Sequence, residues 1–205
     1  MRIAVIGAGN VGSSLGARWA QAGHEVMFGV RDPQSDNTHK ALERAGERAQ
    51  AGTLSEAAAF GEVIVLAVPW QAVPYAVSDL GDISGKILVD ATNRIVPASA
   101  GEAASGAETI AGLATNAHVV KAFNTMGAET MYNPTIHDKA VTAFVCGDHA
   151  AAKATVIQLA QDIGLDAVDA GLLSNAVNVE AVARLWISMA RAGMGRRFGF
   201  HLLRE

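Results

Sequence analysis

The chain has 205 residues, of which 50% are hydrophobic and 18% are charged, and its formal net charge is −4. This composition predicts a folded globular protein, and because no basic stripe is present, nucleic acid is not an expected partner. A single cysteine, Cys146, excludes an internal disulfide and a thiolate metal site, which fits a reducing cytoplasm.

Apolar segments and histidines argue against a membrane or a metal. Glycines and Asn10 interrupt the first apolar run after six residues, so we expect no secretory signal. The longest later run, residues 63–70, is too short to span a bilayer. The histidines lack ligand spacing on any helix face, so no metal site is expected.

Short β-branched runs alternate with alanine-rich segments of helical length, a pattern typical of βαβ units. We predict strands at residues 2–6, 24–30, 63–68, 87–90, 119–123, 142–146 and 167–169. We predict helices at residues 11–21, 38–51, 71–80, 125–132, 150–163 and 174 to about 192, with N-caps at Ser55 and Ser174. Residues 98–112 have weak periodicity and predict a loop or a frayed helix.

These elements predict an α/β protein with a Rossmann-type, doubly wound, mostly parallel sheet and a small C-terminal helical annex. We assign residues 1–171 to a Rossmann-type domain and residues 172–205 to a helical cap or dimerisation segment, because no strand follows residue 172. The apolar stripe between residues 177 and 189 predicts packing against this sheet or a second subunit. A homodimer is expected.

A glycine-rich turn follows the first strand. Gly7 permits the tight turn, Gly9 lets the backbone approach a pyrophosphate, and Gly12 lets helix and strand pack closely. The helix that begins near Val11 directs its unpaired N–H groups at the phosphates. Because a second strand begins at His24, the spacing predicts a βαβ unit that binds a dinucleotide.

The end of the second strand favours NADP over NAD. NAD-binding units carry an acid there for the ribose 2′-hydroxyl. Val30 occupies that position, and Arg31 can offer its planar guanidinium to a 2′-phosphate. In the alternative alignment, Asp32 is the ribose acid and Arg31 stacks on adenine, although Pro33 places Asp32 in a turn.

Several motifs together suggest a family. They are IAVIGAGNVG (3–12), GHEV (23–26) followed by Gly29 and Arg31, AVPW (67–70), DATN (90–93), VKAFNT (120–125), and DAG (169–171) followed by LSNA (173–176). With these motifs the chain resembles the NADPH-dependent coenzyme F420 reductases (deazaflavin:NADP oxidoreductases) over nearly its whole length. It is also similar to the cytosolic oxidoreductase domain of transmembrane metalloreductases.

The resemblance implies direct hydride transfer between NADPH and a stacked small-molecule redox acceptor, either coenzyme F420 or a flavin. By position, Gly9, Asn10 and Val11 would hold the pyrophosphate and Arg31 the 2′-phosphate. Residues beside the nicotinamide ribose or facing its ring would be Val68, Pro69, Trp70, Asn93, Asn124 and Thr125. Family members usually have Ser or Thr beside the arginine, so Val30 implies a weaker selectivity for NADP over NAD.

Lys121 is the candidate catalytic residue, because it falls within a strand at the edge where parallel sheets bind ligands. It could donate a proton or steady an anionic ring; alternatively, it extends to solvent from an edge position. Asp90 and Asp169 end strands, where an acid either touches substrate or caps the next turn. Trp70 either walls the nicotinamide pocket or packs in the core.

The function we predict is an NADPH-dependent oxidoreductase that passes a hydride to a flavin-like or deazaflavin acceptor. A carbonyl or imine reductase is one alternative, although that class usually carries a much longer helical domain than the roughly 30 residues after Gly171. An NADP(H)-binding sensor without turnover is another, since binding and turnover use the same turn.

Overall fold

A twisted central sheet with helices on both faces organises the chain. The computed structural model describes residues 1–95, 101 and 103–204. Its strands are β1 (Arg2–Ile6), β2 (Glu25–Gly29), β3 (Ala49–Gly52), β4 (Val63–Leu66), β5 (Ile87–Asp90), β6 (His118–Lys121), β7 (Thr135–Ile136), β8 (Lys139–Ala140), β9 (Thr142–Gly147) and β10 (Asp166–Asp169). Its α-helices are α1 (Asn10–Gln21), α2 (Asp36–Ala45), α3 (Leu54–Phe60), α4 (Val73–Ser78), α5 (Gly106–Leu113), α6 (Ala128–Tyr132), α7 (Ala150–Asp162) and α8 (Ala176–Met189).

Within the described residues, eight strands form the main sheet in the order β3-β2-β1-β4-β5-β6-β9-β10. The first six strands are parallel, and their order is that of the Rossmann fold. β9 pairs antiparallel to β6, and β10 pairs parallel to β9. The last residues of β9, Cys146 and Gly147, lie opposite Lys121 and Val120 at the end of β6. The predicted fold class, a doubly wound and mostly parallel α/β sheet, is confirmed.

Two apolar layers cover the sheet. On one face, Leu15 and Trp19 of α1 pack with Val156 and Leu159 of α7. The Trp19 indole N–H donates to the Leu159 carbonyl (2.9 Å), so its one polar atom is paired within the core. The other face is covered by residues of α3, α4, α5 and α8. Central strands with both faces buried read as continuous apolar runs, as β1 and β4 do.

The structure corrects several predicted elements. The helix predicted at residues 38–51 is wrong beyond residue 45, because Gly46 ends α2 and residues 49–52 pair with β2 as β3. Helix α3 was not predicted: Thr53, not Ser55, is its N-cap, in a capping box with Glu56. Ser174 is also wrong as an N-cap, since it lies within a 3₁₀ turn before α8.

The region predicted as a loop or frayed helix falls partly outside the described residues, at 98–100 and 102. Its remainder contains α5, a regular helix that begins at a capping box formed by Ser105 and Glu108. α5 is therefore better defined than its weak periodicity suggested.

The C-terminal segment packs onto the same sheet. Leu173, Ala176 and Val179 belong to the apolar layer that also contains α4 and α5. The tail then runs back to the start of β9, where the Phe200 carbonyl accepts the Thr142 backbone N–H (2.8 Å). The domain division at residue 171, a dimerisation role for residues 172–205 and the homodimer itself stay predictions.

Candidate functional site

A tight turn joins β1 to α1. Gly7 has a φ of 107°, and its N–H donates to the carbonyl of Gly29 at the end of β2 (2.9 Å). A Cβ at Gly7 would lie 2.7 Å from the carbonyl oxygen of Ala67, and one at Gly12 would lie 1.9 Å from the oxygen of Gly7. Both positions therefore require glycine, because the obstructing atoms belong to the backbone.

Gly9 borders open space instead. Apart from Gly9 and its chain neighbours, no described residue has an atom within 4 Å of the point where a Cβ at Gly9 would stand. α1 begins at the next residue, so the N–H groups of its first turn have no acceptor inside the helix. No acidic side chain stands in that first turn. The turn thus has the backbone exposure and the positive dipole end of an anion-binding site, suited to a pyrophosphate.

This turn forms one wall of a cleft with a volume of 570 Å³, within the usual range for small-molecule sites. The cleft lies at the carboxyl ends of β1, β2 and β4, where the strand order reverses, which is where open α/β sheets bind ligands. The residues predicted to bind the cofactor that line it are Gly7, Gly9, Arg31, Val68 and Pro69.

The other predicted residues do not line this cleft within the described part of the chain. Three of them, Asn10, Val11 and Gly12, lie in the first turn of α1. The remainder follow β4, β5 and β6 along the same sheet edge: Trp70, Asn93, Asn124 and Thr125.

The loop after β2 forms the far end of the cleft. Val30 is buried, whereas Arg31 and Asp32 are exposed and line the cleft. The Asp32 carboxylate accepts the Gln34 backbone N–H (2.9 Å), so this acid is engaged in the turn that follows. The exposed cation beside the cleft is Arg31, as an NADP site requires.

Sequence reasoning missed the polar residues that complete this loop, Ser35, Asn37 and Thr38. The Ser35 hydroxyl caps α2, and the Thr38 hydroxyl donates to the Asp32 carbonyl (3.1 Å). These bonds fix the shape of the loop around Arg31. The signal was present in the sequence, since a Ser-Asp-Asn-Thr run after a strand is typical of a helix N-terminus.

Tyr75 on α4 lines the opposite wall of the cleft and was also missed. Its side chain is 58% exposed, although it is large and mostly apolar. The Asp79 carboxylate raises the pKa of Tyr75, and the charge of Arg31 opposes that shift. Tyr75 and Arg31 therefore lie within electrostatic reach of one another across the cleft.

The loops after β5 and β6 are joined by two asparagines. Asn93 Nδ2 donates to the Asn124 carbonyl (3.2 Å), and Asn124 Nδ2 donates to Asn93 Oδ1 (3.3 Å). Asn124 is 2% exposed, and its Oδ1 finds no hydrogen-bond partner among the described residues. A buried carbonyl oxygen without a donor is an unsatisfied acceptor, which a ligand can reach only after the side chain moves.

Phe123 precedes this pair in a left-handed conformation, with a φ of 63°. Such a conformation is unusual for a bulky residue and persists only where the surroundings hold it. The Phe123 ring is buried and packs edge-on against Trp19, with ring centroids 5.6 Å apart. The chain is therefore held in a strained turn immediately before Asn124.

Lys121 does not extend to solvent, so that alternative is wrong. Its side chain is 0% exposed, and Nζ lies 2.8 Å from Asp90 Oδ2, 2.6 Å from the Thr92 carbonyl and 3.4 Å from Glu180 Oε1. Three oxygens thus surround an ammonium group that has three N–H donors. Its role as a catalytic residue stays a prediction.

Both strand-ending acids cap the turn that follows. Asp90 Oδ1 accepts the N–H and the hydroxyl of Thr92 (2.8 and 2.7 Å). Asp169 Oδ1 accepts the Gly171 N–H (2.8 Å) and pairs with Lys153 (2.9 Å). The Lys153 ammonium and the Gly171 N–H lower the pKa of Asp169.

Trp70 faces a second, smaller cavity of 360 Å³ beside α5. Arg94, which is 8% exposed, lies beside the same cavity and donates to the carbonyls of Ala103 and Ala104 (2.9 and 3.0 Å). Trp70 therefore lies between the end of β4 and α5.

Burial raises the pKa of the Cys146 thiol to about 11, so it stays protonated at neutral pH.

In residues 1–95, 101 and 103–204, no group of three or more His, Cys, Asp or Glu side chains is placed to hold a metal ion. Of the helices in the same ranges, none combines the length and apolar character needed to cross a membrane.

The chain is similar in sequence to a known family of oxidoreductases. The family described as "NADP oxidoreductase coenzyme F420-dependent" matches residues 2–94. The F420-dependent NADP reductase of Methanothermobacter thermautotrophicus is 32% identical over 98% of this chain and 94% of its own length. Metalloreductase STEAP3 of Rattus norvegicus is 31% identical over 88% of this chain, which spans 36% of that longer protein.

A solved structure from Arthrobacter sp. FB24, named as a candidate F420-dependent NADP reductase, matches with a TM-score of 0.86. The two chains are 31% identical, and the match covers 98% of this chain and 99% of the other. The similarity therefore includes the glycine turn, both asparagine loops and the C-terminal helix.

Proposed function

This chain belongs to the family of coenzyme F420-dependent NADP oxidoreductases, and we propose that it transfers a hydride between NADPH and coenzyme F420. Oxidoreductase activity with NADP follows from that membership. The identity of the acceptor is our proposal.

The observation that carries the proposal is the layout of the cleft edge. We call the glycine turn after β1, together with residues 29–38, the phosphate side. We call the loops after β5 and β6, residues 91–94 and 122–125, the ring side. The phosphate side borders an open cleft, whereas the ring side is buried and ordered by internal hydrogen bonds. A dinucleotide needs both: an anion site at one end and a dry, fixed surface at the other.

The phosphate side fits NADP. Gly9 leaves the space that a pyrophosphate requires, and the free N–H groups at the start of α1 would bind it. Arg31 would pair with the 2′-phosphate, since a guanidinium matches the geometry of phosphate oxygens. Asp32 is committed to its own turn, which supports NADP over NAD.

The ring side fits a nicotinamide. Once its side chain turns towards the cleft, the unpartnered Oδ1 of Asn124 would accept one of the two N–H groups of the nicotinamide carboxamide. Val68 and Pro69 provide an apolar surface between the two sides. These residues would hold the cofactor, and the remainder of the ring side would exclude water from it.

When bound, NADPH supplies the hydride, so the chain itself has to orient two rings and keep water away. Direct transfer of this kind requires no strong acid or base at the ring. Lys121 already has three oxygen partners, so the proposal gives it no proton to transfer.

A flavin acceptor is the second candidate, because the resemblance to transmembrane metalloreductases implies NADPH-to-flavin transfer, and Metalloreductase STEAP3 matches 88% of this chain. F420 is the better-supported acceptor, because the archaeal reductase matches over 94% of its own length and the metalloreductase over 36%. A carbonyl or imine reductase and an NADP(H) sensor without turnover remain as outcomes of the test below.

The test is an acceptor panel. The protein is mixed with NADPH, and F420, FMN, FAD, a ferric chelate and a small imine or ketone are offered in turn. NADPH oxidation is followed by its absorbance, and F420 reduction by the loss of its own absorbance. We expect fast turnover with F420 and slow turnover with the other acceptors.

Other results would redirect the proposal. Fast turnover with FMN or FAD and none with F420 would replace F420 by a flavin. Tight NADPH binding with no turnover for any acceptor would favour the sensor. A parallel series with NADH measures the preference for NADP, and heat-inactivated protein controls for direct reaction between NADPH and the acceptors.

A further inference from the structure

We propose that Lys121 is a positioning residue for hydride transfer: its buried ammonium group fixes the ring-side loop that carries Asn93. This inference rests on the proposed function, because it concerns the orientation of the rings that exchange the hydride. It assigns Lys121 a role that needs no proton to leave it.

The cluster around Lys121 is closed and complete. Lys121, Asp90 and Glu180 are at most 2% exposed, so all three charges lie outside the reach of water. The ammonium group donates to Asp90 and to the Thr92 carbonyl and pairs with Glu180. A buried charge is tolerated only when it is paired and hydrogen-bonded, and a network with every member satisfied is rigid.

The cluster forms hydrogen bonds with three atoms of Thr92. Its carbonyl accepts from Lys121 (2.6 Å), and its N–H and hydroxyl both donate to Asp90 Oδ1 (2.8 and 2.7 Å). Asn93 is the next residue, and its side chain joins Asn124 on the neighbouring loop. The position of the asparagine pair is therefore set by a group that does not itself face the cleft.

The same lysine anchors the second loop through its own backbone. Lys121 ends β6, and the strained, buried Phe123 follows two residues later. Asn124 comes next, with its unpartnered Oδ1. The two loops of the ring side thus share one fixed point, the side chain and the backbone of Lys121.

Glu180 connects the C-terminal helix to this fixed point. Its carboxylate accepts the N–H groups of Gly106 (2.9 and 3.1 Å) and Ala107 (3.3 Å) at the start of α5. It also pairs with Lys121. α5 and α8 are therefore tied to the ring side by one carboxylate, and the C-terminal segment contributes to the site without lining it.

Orientation matters here because hydride transfer depends on the approach of two ring atoms, and a misplacement of about 1 Å can cost about 100-fold in rate. Most groups that would bind NADPH lie on the phosphate side, and the ring side would act mainly through the orientation of the nicotinamide. Loss of Lys121 should therefore lower the rate of hydride transfer and leave the affinity for NADPH unchanged. Loss of a residue with a purely structural role would lower the stability of the fold and leave both the rate and the affinity unchanged.

The experiment uses the full chain with NADPH and compares Lys121→Met with the wild type. We expect kcat for F420 to fall by about 10–100-fold, with a Kd for NADPH within about twofold of wild type. The isotope effect with NADPH deuterated at the transferred position should rise, because the transfer step becomes more rate-limiting. The fluorescence lifetime of the bound nicotinamide should shorten, and this readout needs no acceptor.

Lys153→Met is the matched control. It also removes a lysine that pairs with a carboxylate and a carbonyl, Asp169 and Gly171, but beside the outermost strand, β10, which β9 separates from β6. This variant should keep the wild-type kcat, isotope effect and lifetime.

Two further variants keep the test decisive if Lys121→Met does not fold. Lys121→Met with Glu180→Gln preserves the net charge of the cluster, and Lys121→Arg keeps the cation but changes its geometry. We expect both to lower kcat at unchanged NADPH affinity, Lys121→Arg the less. A folded variant with wild-type kcat, isotope effect and lifetime would overturn the positioning role. If wild type does not reduce F420 at all, the proposed function fails, and the lifetime comparison alone decides this inference.

Discussion

The phosphate side and the ring side lie on the same sheet edge and differ in where their polar groups point. On the phosphate side, backbone N–H groups and exposed side chains such as Arg31 face the open cleft. Behind the ring side, Lys121 pairs with Asp90 and Glu180, and both carboxylates also accept backbone N–H groups. One side offers hydrogen bonds to a ligand, and the other uses its own to fix a surface.

This contrast separates affinity from rate. Groups that contact the cofactor equally before and during the reaction contribute to binding, whereas only those that improve the transition state raise kcat. The phosphate side can contribute only to binding, since no bond of the cofactor forms or breaks there. The ring side contributes through geometry. Changes on the first side should therefore appear in Kd and changes on the second in kcat.

The largest effect is expected at the glycine turn. A methyl group at Gly12 would lie 1.9 Å from a backbone oxygen, so Gly12→Ala should destabilise the chain by about 3 kcal/mol and lower the Tm by about 10 °C. The same change at Gly9 meets open space, and Gly9→Ala should keep the wild-type Tm. Because its methyl would occupy pyrophosphate space, it should weaken NADPH binding at least tenfold.

Thermal unfolding and NADPH titration of both variants check this prediction. Equal losses of Tm would show that the open space at Gly9 is not what separates the two glycines. A Gly9→Ala variant with wild-type affinity would remove the pyrophosphate from this turn.

Arg31 should give the next largest effect, on affinity only. Arg31→Ala removes a bidentate, charge-assisted pair and should raise the Kd for NADPH by about 10–100-fold, while the Kd for NADH changes by less than about threefold. Arg31→Lys keeps the charge but not the planar guanidinium, so its Kd for NADPH should lie between those of wild type and Arg31→Ala. Titration with both nucleotides provides the measurement. Equal losses for NADPH and NADH would instead support the stacking of Arg31 on adenine.

The contrast between the two sides also explains which features the sequence predicts. The phosphate side depends on glycine spacing and on one exposed arginine, which are local signals, and the five predicted residues that line the cleft lie there or next to it. The ring side depends on the meeting of Lys121 with Glu180, two residues far apart in the chain. No spacing rule relates them, so the sequence could not show that Lys121 lies in a buried cluster. Of its two predicted roles, the extension to solvent is wrong and the catalytic role stays a prediction.

The same distinction applies to the fold. β1 and β5 have the predicted bounds, because an apolar, β-branched run is itself a strand signal. β3 reads Ala-Gln-Ala-Gly, a helix-compatible sequence, and it is a strand only because β2 offers it a parallel partner. The capping box at Thr53 was, in contrast, a local signal that the prediction placed two residues too late.

Tyr75 should give a smaller effect on the phosphate side. It lines the cleft opposite Arg31 and exposes 58% of its surface, a position suited to the face of an adenine. Tyr75→Ala should raise the Kd for NADPH and for NADH alike, by about 3–10-fold, because adenine is common to both. Tyr75→Phe should bind like wild type, since the ring and not the hydroxyl is used. A selective loss of NADPH would place Tyr75 at the 2′-phosphate instead.

The smallest effect is expected beside the outermost strand, β10, outside both sides of the site. Lys153 lowers the pKa of Asp169 below its ordinary value of 3.8, so this carboxylate stabilises the fold above that value, and the contribution is lost as the pH falls through the lowered pKa. Because Asp169 is about half exposed, the pair contributes only about 0.2–1 kcal/mol. Asp169→Asn should therefore lower the Tm by about 1–3 °C at pH 7 and by less at pH values near 3, without changing Kd or kcat. A Tm difference that is independent of pH would assign the effect to the Gly171 turn, and a change in Kd or kcat would show that β10 and the site are coupled.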